Sequence, residues 1–351
     1  KGLGQNALFK GAVLCECNNM IGRGGKTLDK KEQAMSRIKP DENTGKACID
    51  QLDGLRLAVR RILKEELDIS KIEFEEKESF WSKRWLWAAN GGHSRVTEKR
   101  EPKWKVDAKG RVHRKAAMEN FEINPLNEWT GKVYVSMAEK LETDKRRMLL
   151  SCDTISYSCF EHILNSVERA WIGKRVILDP GQGGNYAIAK RLKEKFKQSY
   201  YVMCDYDYFD MQHSLQALKI VTEELCVLTN YDKEMSQKLI SSWDKMLICD
   251  GDNDLGYAAA TLMTGHRGTT FYNSVLNAAY IRCQNESIWR ETDSIHIGDD
   301  VICFCKGPDS AINFVTMLQK SNLKMNAAKQ SMGRYCGELL RMCVSGSRAI
   351  G

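Results

Sequence analysis

The stretch Ser294 to Cys305, SIHIGDDVICFC, constrains the fold of this chain more than any other. Two short runs alternate apolar with polar or smaller residues on either side of Gly298, Asp299 and Asp300, and this period-2 pattern predicts a β-hairpin with adjacent carboxylates at its turn. Tight turns between apolar strands ordinarily take Asn-Gly or Asp-Gly in that order, and neighbouring aspartates repel. The pair is therefore expected to face a positive partner, most simply a divalent metal. The alternative is a solvated acidic turn, and Gly-Asp-Asp alone does not choose between the two. Alternation puts Cys303 and Cys305 on one strand face, as buried free thiols.

A chain of 351 residues that is 42% hydrophobic can bury a substantial core in more than one structural unit. It has no apolar run of the roughly eighteen residues that a membrane helix needs, and its amino terminus, KGLGQNALFKGAVLCECNNM, lacks a secretion signal. No membrane partner is expected. A first residue other than Met and the abrupt close at SGSRAIG read as a fragment of a longer polypeptide. The 13 cysteines are scattered, and the close pairs Cys15/Cys17 and Cys303/Cys305 lack the two-residue gap of zinc sites, which fits a reducing compartment. The charge of +7 accompanies 53 Lys and Arg residues, enough for a basic channel if they cluster.

Along the chain, Leu52, Leu55, Leu57, Val59 and Ile62 suggest an amphipathic helix. Trp81, Trp85, Trp87 and Trp104, set among charged residues, could stack bases or pack a small subdomain. LETDKRRMLLSCD is a basic knot, with Lys145, Arg146 and Arg147, running into a short apolar strand; FEHILNSVERAW is helical. RVILDPGQGGNYA predicts a strand ending at Asp179 and a flexible loop at Gly183 and Gly184, but not a P-loop, since the required Lys and Ser or Thr are absent. In SYYVMCDYDYFDMQHSLQALKIVTEELC, a strand over Tyr200 to Cys204 ends at Asp205 and a helix begins near Asp210, carrying Leu215, Leu218, Val221 and Leu225. Asp210 could be a helix cap; Asp205 closes an apolar strand, where a charge needs a partner. Gly265 and Gly268 precede a helix whose Thr269, Asn273 and Asn277 form a polar stripe suited to a sugar or phosphate. PDSAINFVTMLQK predicts a helix through Ile312, Val315 and Leu318, NLKMN a strand, and SMGRYCGELLRMCVSG a hairpin turning at Gly337.

In this order, DKRRMLLSCDT, DYDYFDMQHS, TGHRGTTFYNSVLN, HIGDDV, LKMNAAKQS and GELLRM resemble motifs F, A, B, C, D and E of viral RNA-dependent RNA polymerases, most closely those of totivirus-like double-stranded RNA viruses. FWSKRWLWAANGGHS and RVILDPG look like the same group. The resemblance implies an α+β right-hand polymerase with an antiparallel palm sheet and flanking helices: fingers over residues 1–195, palm over 196–335 with a fingers insertion near 225–255, and the start of a largely missing thumb over 336–351. It implies that Asp205 and Asp299, supported by Asp300, ligate two Mg²⁺ ions, with Mn²⁺ as an alternative. Lys145 and Arg147 would grip the triphosphate. Asp210 and Asn273, assisted by Thr269 and the glycine loop at Gly265, would sense the ribose 2′-hydroxyl, and Lys329, with Lys324 as rival, would act as general acid. Expected partners are RNA template and product, NTPs and a viral capsid protein, in the virion interior or host cytoplasm. Asp144 to Arg147 stand where that group commonly has Gly-Lys-Thr-Arg, Thr264 where Ser is usual, and Asp210 where Asn is frequent. The rival readings are a reverse transcriptase-like enzyme and a non-catalytic viral RNA-binding component.

Overall fold

The computed structural model describes residues 25–142, 145–179, 181, 184–197, 199–334, 336–340 and 342–350. Asp144, Pro180 and Gly183 therefore lie outside the described residues, as does the side chain of Lys145. In chain order the elements that matter are α1 (Lys30–Ile38), α2 (Leu52–Glu66), β1 (Val133–Glu142), β2 (Lys145–Cys152), α3 (Thr154–Arg169), α4 (Gly184–Phe196), β3 (Tyr200–Cys204), α5 (Leu215–Leu228), β4 (Met246–Asp250) and β5 (Asn253–Tyr257). They continue with α6 (Thr269–Gln284), β6 (Asp293–Ile297), β7 (Asp300–Cys305), α7 (Pro308–Gln319), β8 (Ser331–Gly333), β9 (Cys336–Leu339) and β10 (Met342–Ser345).

The hairpin at Gly-Asp-Asp forms as β6 and β7, the core of a four-stranded antiparallel sheet in the order β8-β3-β7-β6. Because side chains alternate along a strand, its two faces bury different sets. Val202, Cys204, Val301, Cys303 and Cys305 join the main core with residues of α2, α6 and α7. Tyr201, Met203, Ile295, Ile302 and Phe304 face the other way, onto Ile188, Leu192 and Phe196 of α4 and onto Leu339, Met342 and Val344. A sheet wrapped on both faces is rigid, so what its strand ends carry is held in place. A second sheet, ordered β2-β1-β4-β5, has β1 and β2 antiparallel and β1 and β4 parallel. The 145–152 segment is thus a strand throughout, with its basic residues inside the ladder rather than before it.

Several local expectations give way to tertiary context. Leu57 is exposed, because the buried stripe of α2 is Leu55, Ala58, Val59, Ile62 and Leu63, at helical spacing. Likewise α7 buries Ala311, Phe314 and Leu318 and leaves Ile312 in solvent. Among its described residues RVILDPG makes one bridge, Val176 to His296. The carboxylate of Glu66 accepts from the backbone N–H groups of Lys174, Arg175 and Val176, so those donors are not available to a ladder. Gly184 opens α4 instead of a loop. The helix expected after Asp205 is broken: Phe209–Gln212 forms one turn, His213 is extended, and Ser214 caps α5 by accepting from Ala217 N. NLKMN is not a strand, since Met325 makes only an isolated bridge to Tyr206 before a 3₁₀ turn at Ala327–Lys329. The carboxyl-terminal hairpin turns at Leu340 (φ 52°) and not at Gly337. Gly337 pairs with Val344, where an added Cβ would meet the Phe196 ring at 2.7 Å. Of the tryptophans, Trp81 and Trp104 are buried and Trp85 is exposed, so packing accounts for the first two.

Candidate active site

The antiparallel register of β3 and β7 ends with Cys204 opposite Val301, and the next positions are Asp205 and Asp300. On the other side of β7, Ile297 pairs with Asp300, leaving Gly298 and Asp299 as the connection. Gly298 has φ 61°, a left-handed conformation that glycine adopts without steric cost. Neighbouring strands lie about 4.8 Å apart, so Asp205, Asp299 and Asp300 meet at one end of the central strands β3 and β7. Asp299 is exposed, while Asp205 and Asp300 are half-buried. Lys329 reaches the same point, its Nζ 3.2 Å from Asp205 Oδ1. The curl that brings it there is fixed on the Asp205 carbonyl, which accepts from Asn326 N (2.8 Å) and Gln330 Nε2 (2.7 Å). Lys324 is exposed, and its backbone N–H donates to Gln212 Oε1. Among the described residues no group of three or more His, Cys, Asp or Glu side chains is gathered tightly enough to form a closed metal cage.

The Asp-Asp turn is held from beneath by α6. Ser274 Oγ accepts from Gly298 N at 2.7 Å, and Asn277 Nδ2 donates to the carbonyls of Gly298 (3.1 Å) and Asp300 (3.4 Å). Both residues are completely buried. Asn277 Oδ1 accepts from the Tyr206 hydroxyl (3.2 Å) and pairs with His296 Nδ1 (3.0 Å); His296 Nε2 pairs with Ser294 Oγ (2.8 Å). Burial pushes the His296 pKa well down, so the ring is neutral: Nδ1–H donates and Nε2 accepts. Arg175 extends the chain by donating from Nε to Ser294 Oγ, its guanidinium stacked 3.6 Å from the Trp289 ring centre. The RVILDPG string therefore supports the turn through a relay of buried hydrogen bonds.

The loop before α6 is stitched to β2. Gly265 N donates to Leu150 O, Cys152 N donates to Gly265 O, and Thr264 Oγ1 accepts from Leu150 N. An added Cβ at Gly265 would lie 2.7 Å from Ser151 Cα, so glycine is required there for close approach. Thr264 keeps its hydroxyl for this stitch. Thr269 uses its own hydroxyl on loop carbonyls, donating toward His266 O (2.7 Å) and Met263 O (3.2 Å), so its part is to shape the loop. On β2, Arg146 pairs with Glu139, while the exposed Arg147 contributes positive charge at Asp210. Lys145 opens the strand opposite Glu142.

Asp210 belongs to the helical turn after Tyr208 and does not cap it; its carbonyl accepts from Leu262 N. Burial raises its pKa, Arg37 opposes this, Asp299 adds to it, and Arg147 opposes it. Asn273 lies one helical turn before Asn277, with its Oδ1 2.8 Å from His213 Nε2. Sequence reasoning passed over Arg37, His213, Ser274, Arg175 and His296. Only His296 carried a signal, as a polar residue between Ile295 and Ile297 next to the aspartates.

An antiparallel sheet with an aspartate at one strand end and an Asp-Asp turn on its neighbour, backed by helices and joined to a second sheet, is the palm and fingers of a right-hand polymerase. Solved viral polymerases share this fold. The RNA-dependent RNA polymerase of a human picorbirnavirus superposes with a TM-score of 0.58 at 15% identity, over 90% of this chain and 64% of that one. The BmCPV RNA-dependent RNA polymerase at elongation state gives 0.59 at 12% identity, over 85% and 29%. The chain belongs to the viral RNA-directed RNA-polymerase family, whose model matches residues 1–351, as its ordered motifs implied. The probable RNA-directed RNA polymerase of Leishmania RNA virus 1-1 is 40% identical over 97% of this chain and 38% of its own length. That of Helminthosporium victoriae virus-190S is 35% identical over 100% and 42%, and that of Saccharomyces cerevisiae virus L-A 24% over 92% and 21%. The chain thus spans about two-fifths or less of these relatives. No helix among the described residues is long and apolar enough to cross a membrane.

Proposed function

We propose that the polypeptide carrying this chain synthesises RNA on an RNA template, with residues 1–195 as fingers, 196–335 as palm and 336–351 as the start of the thumb. Pairing of β4 with β1 supports reading 225–255 as a fingers insertion into the palm sequence. The observation that carries the proposal is the convergence of Asp205 with the Gly298–Asp300 turn at one end of the central strands. Carboxylates from neighbouring strands offer the hard, anionic oxygen donors that Mg²⁺ prefers. The Lys329 ammonium, 3.2 Å from Asp205 Oδ1, supports this, because that carboxylate is open to a cation.

Asp205 and Asp299, with Asp300 in support, would hold two Mg²⁺ ions, or Mn²⁺. When bound, these supply the Lewis acidity that activates a primer 3′-hydroxyl and stabilises leaving pyrophosphate. Lys145 and Arg147 on β2 neutralise the triphosphate. Gly265 and Thr269 fix the start of α6, so that Asn273 and Asp210 address the ribose 2′-hydroxyl, the group that separates RNA from DNA substrates. Lys329 would give a proton to pyrophosphate as it departs. The substrates are NTPs and an RNA template; the names of the viral relatives support both. A capsid-protein partner and a place in the virion interior or host cytoplasm rest on the motif resemblance alone. The test is Mg²⁺-dependent NTP incorporation by the full polypeptide. Asp205→Ala and Asp299→Ala should each abolish it while RNA binding persists, and retained incorporation by either purified variant would overturn the proposal.

A further inference from the structure

His213 is completely buried, packed edge-on against Phe209 with ring centres 4.6 Å apart, and both its ring nitrogens are engaged. Nε2 lies 2.8 Å from Asn273 Oδ1 and Nδ1 lies 2.9 Å from the Tyr280 hydroxyl. Burial lowers its pKa to about 4, so at neutral pH one nitrogen donates and the other accepts. Tyr280 decides which. Its hydroxyl is also completely buried, and His213 is its hydrogen-bond partner among the described residues. A proton on Nδ1 would oblige the tyrosine oxygen to accept, leaving the hydroxyl hydrogen without an acceptor among the described residues at a fully buried site, which is unfavourable. A proton on Nε2 satisfies all three groups: Tyr280 donates to Nδ1, and Nε2–H donates to Asn273 Oδ1.

From this geometry we propose that His213 is a positioning residue for nucleotide selection, holding the Asn273 amide by its oxygen so that the NH₂ group is presented to the ribose. The inference rests on the ribose-reading role proposed above for Asn273 and Asp210. Asp210 precedes His213 on the same segment, whose carbonyls at both residues accept from the backbone of 261–262. An ionised carboxylate only accepts, so a 2′-hydroxyl that donates to Asp210 needs a donor toward its own oxygen. The outward NH₂ supplies one. A flipped amide would set two acceptors against a single hydroxyl hydrogen, and deoxyribose would lose nothing by comparison.

The experiment compares kcat and KM for NTP and matching dNTP in the full polypeptide, with folding checked by thermal unfolding. His213→Leu should cut NTP-over-dNTP discrimination by about tenfold, roughly the worth of one hydrogen bond. The loss should lie in NTP KM, with dNTP incorporation unchanged. His213→Gln, whose side-chain amide can donate from near the Nε2 position, should restore most of the discrimination. The double variant His213→Leu/Asn273→Ala should discriminate no worse than Asn273→Ala alone, because the histidine acts through the asparagine. Equal losses for NTP and dNTP, or additive losses in the double variant, would overturn the role of His213 while leaving Asn273 as the ribose reader. If Asn273→Ala itself leaves discrimination unchanged, the ribose reading fails and this inference fails with it.

Discussion

Replacing Asn277 by alanine removes a side chain that ties the Asp-Asp turn both to its helix and to the segment after β3. The amide accepts from Tyr206 and His296 and donates to the carbonyls of Gly298 and Asp300. Tyr206 and His296 are buried, at 5% and 0% exposure, so their donors would be stranded, at about 1–3 kcal/mol each. The two carbonyls lie at the turn, where water can replace the amide, and add at most about 1 kcal/mol each. A loss of about 2–8 kcal/mol is expected, a large part of the roughly 5–15 kcal/mol that holds a typical domain. Asn277→Asp separates stability from placement: it can still accept from Tyr206 and His296 but sets a carboxylate against two carbonyls beside Asp299. Denaturant unfolding measures the first effect. NTP incorporation, at a temperature where all variants are folded, measures the second. We expect about 100-fold slower turnover in both variants, since misplacement by about 1 Å can cost this much. An Asn277→Ala protein less than about 1 kcal/mol down in stability, or fully active when folded, would refute the account of how the turn is held.

Three further outcomes follow from the same geometry. Lys329→Leu should lower kcat by about 100-fold or more with little change in NTP KM, as expected for loss of a general acid; a change confined to KM would assign the lysine to binding. His213 and His266 are buried with pKa values pushed down to about 4 and about 3, by burial in both cases and also by Arg267 at His266. The unfolded chain therefore binds more protons as pH falls below about 6.5, and the folded state loses stability in that direction. His213→Gln should make unfolding less acid-sensitive by up to about 3 kcal/mol between pH 6.5 and 4, and parallel pH profiles would contradict it. Tyr208 is exposed and left-handed at φ 46°. Tyr208→Gly should raise thermal stability by about 0.5–1 kcal/mol, and destabilisation would mean that the side chain has a packing role not apparent from its exposure.

What could be read from the residues divides along physical lines. The hairpin, the strand before Asp205 and the helix after Gly268 were legible because each is a local pattern with one answer: period 2 for β3, β6 and β7, and a polar stripe at helical spacing for α6. The ordered motifs pointed to the polymerase fold because chance rarely supplies so many in sequence. Where local pattern failed, a distant group had claimed the backbone. Glu66 took the donors of 174–176, the Asp205 carbonyl drew 326–330 into a curl, and His213 left the helix to bind Asn273 and Tyr280. Such contacts join residues far apart in the chain, which no window of sequence displays. The same reason hid the supporting residues of the site. Asn277 was visible as part of a stripe, but its engagement of the turn depends on how α6 crosses β6 and β7.

The proposed site joins Asp205, just past the end of β3, to Asp299, in the turn between β6 and β7. Mg²⁺-dependent incorporation of NTP opposite an RNA template, measured for the full polypeptide and for Asp205→Ala, Asp299→Ala and the double variant, addresses it most directly. Each single variant should lose essentially all incorporation, and the double variant should be no worse, because either loss dismantles the same site. Substantial incorporation by either single variant, or single losses that multiply in the double variant, would contradict the claim.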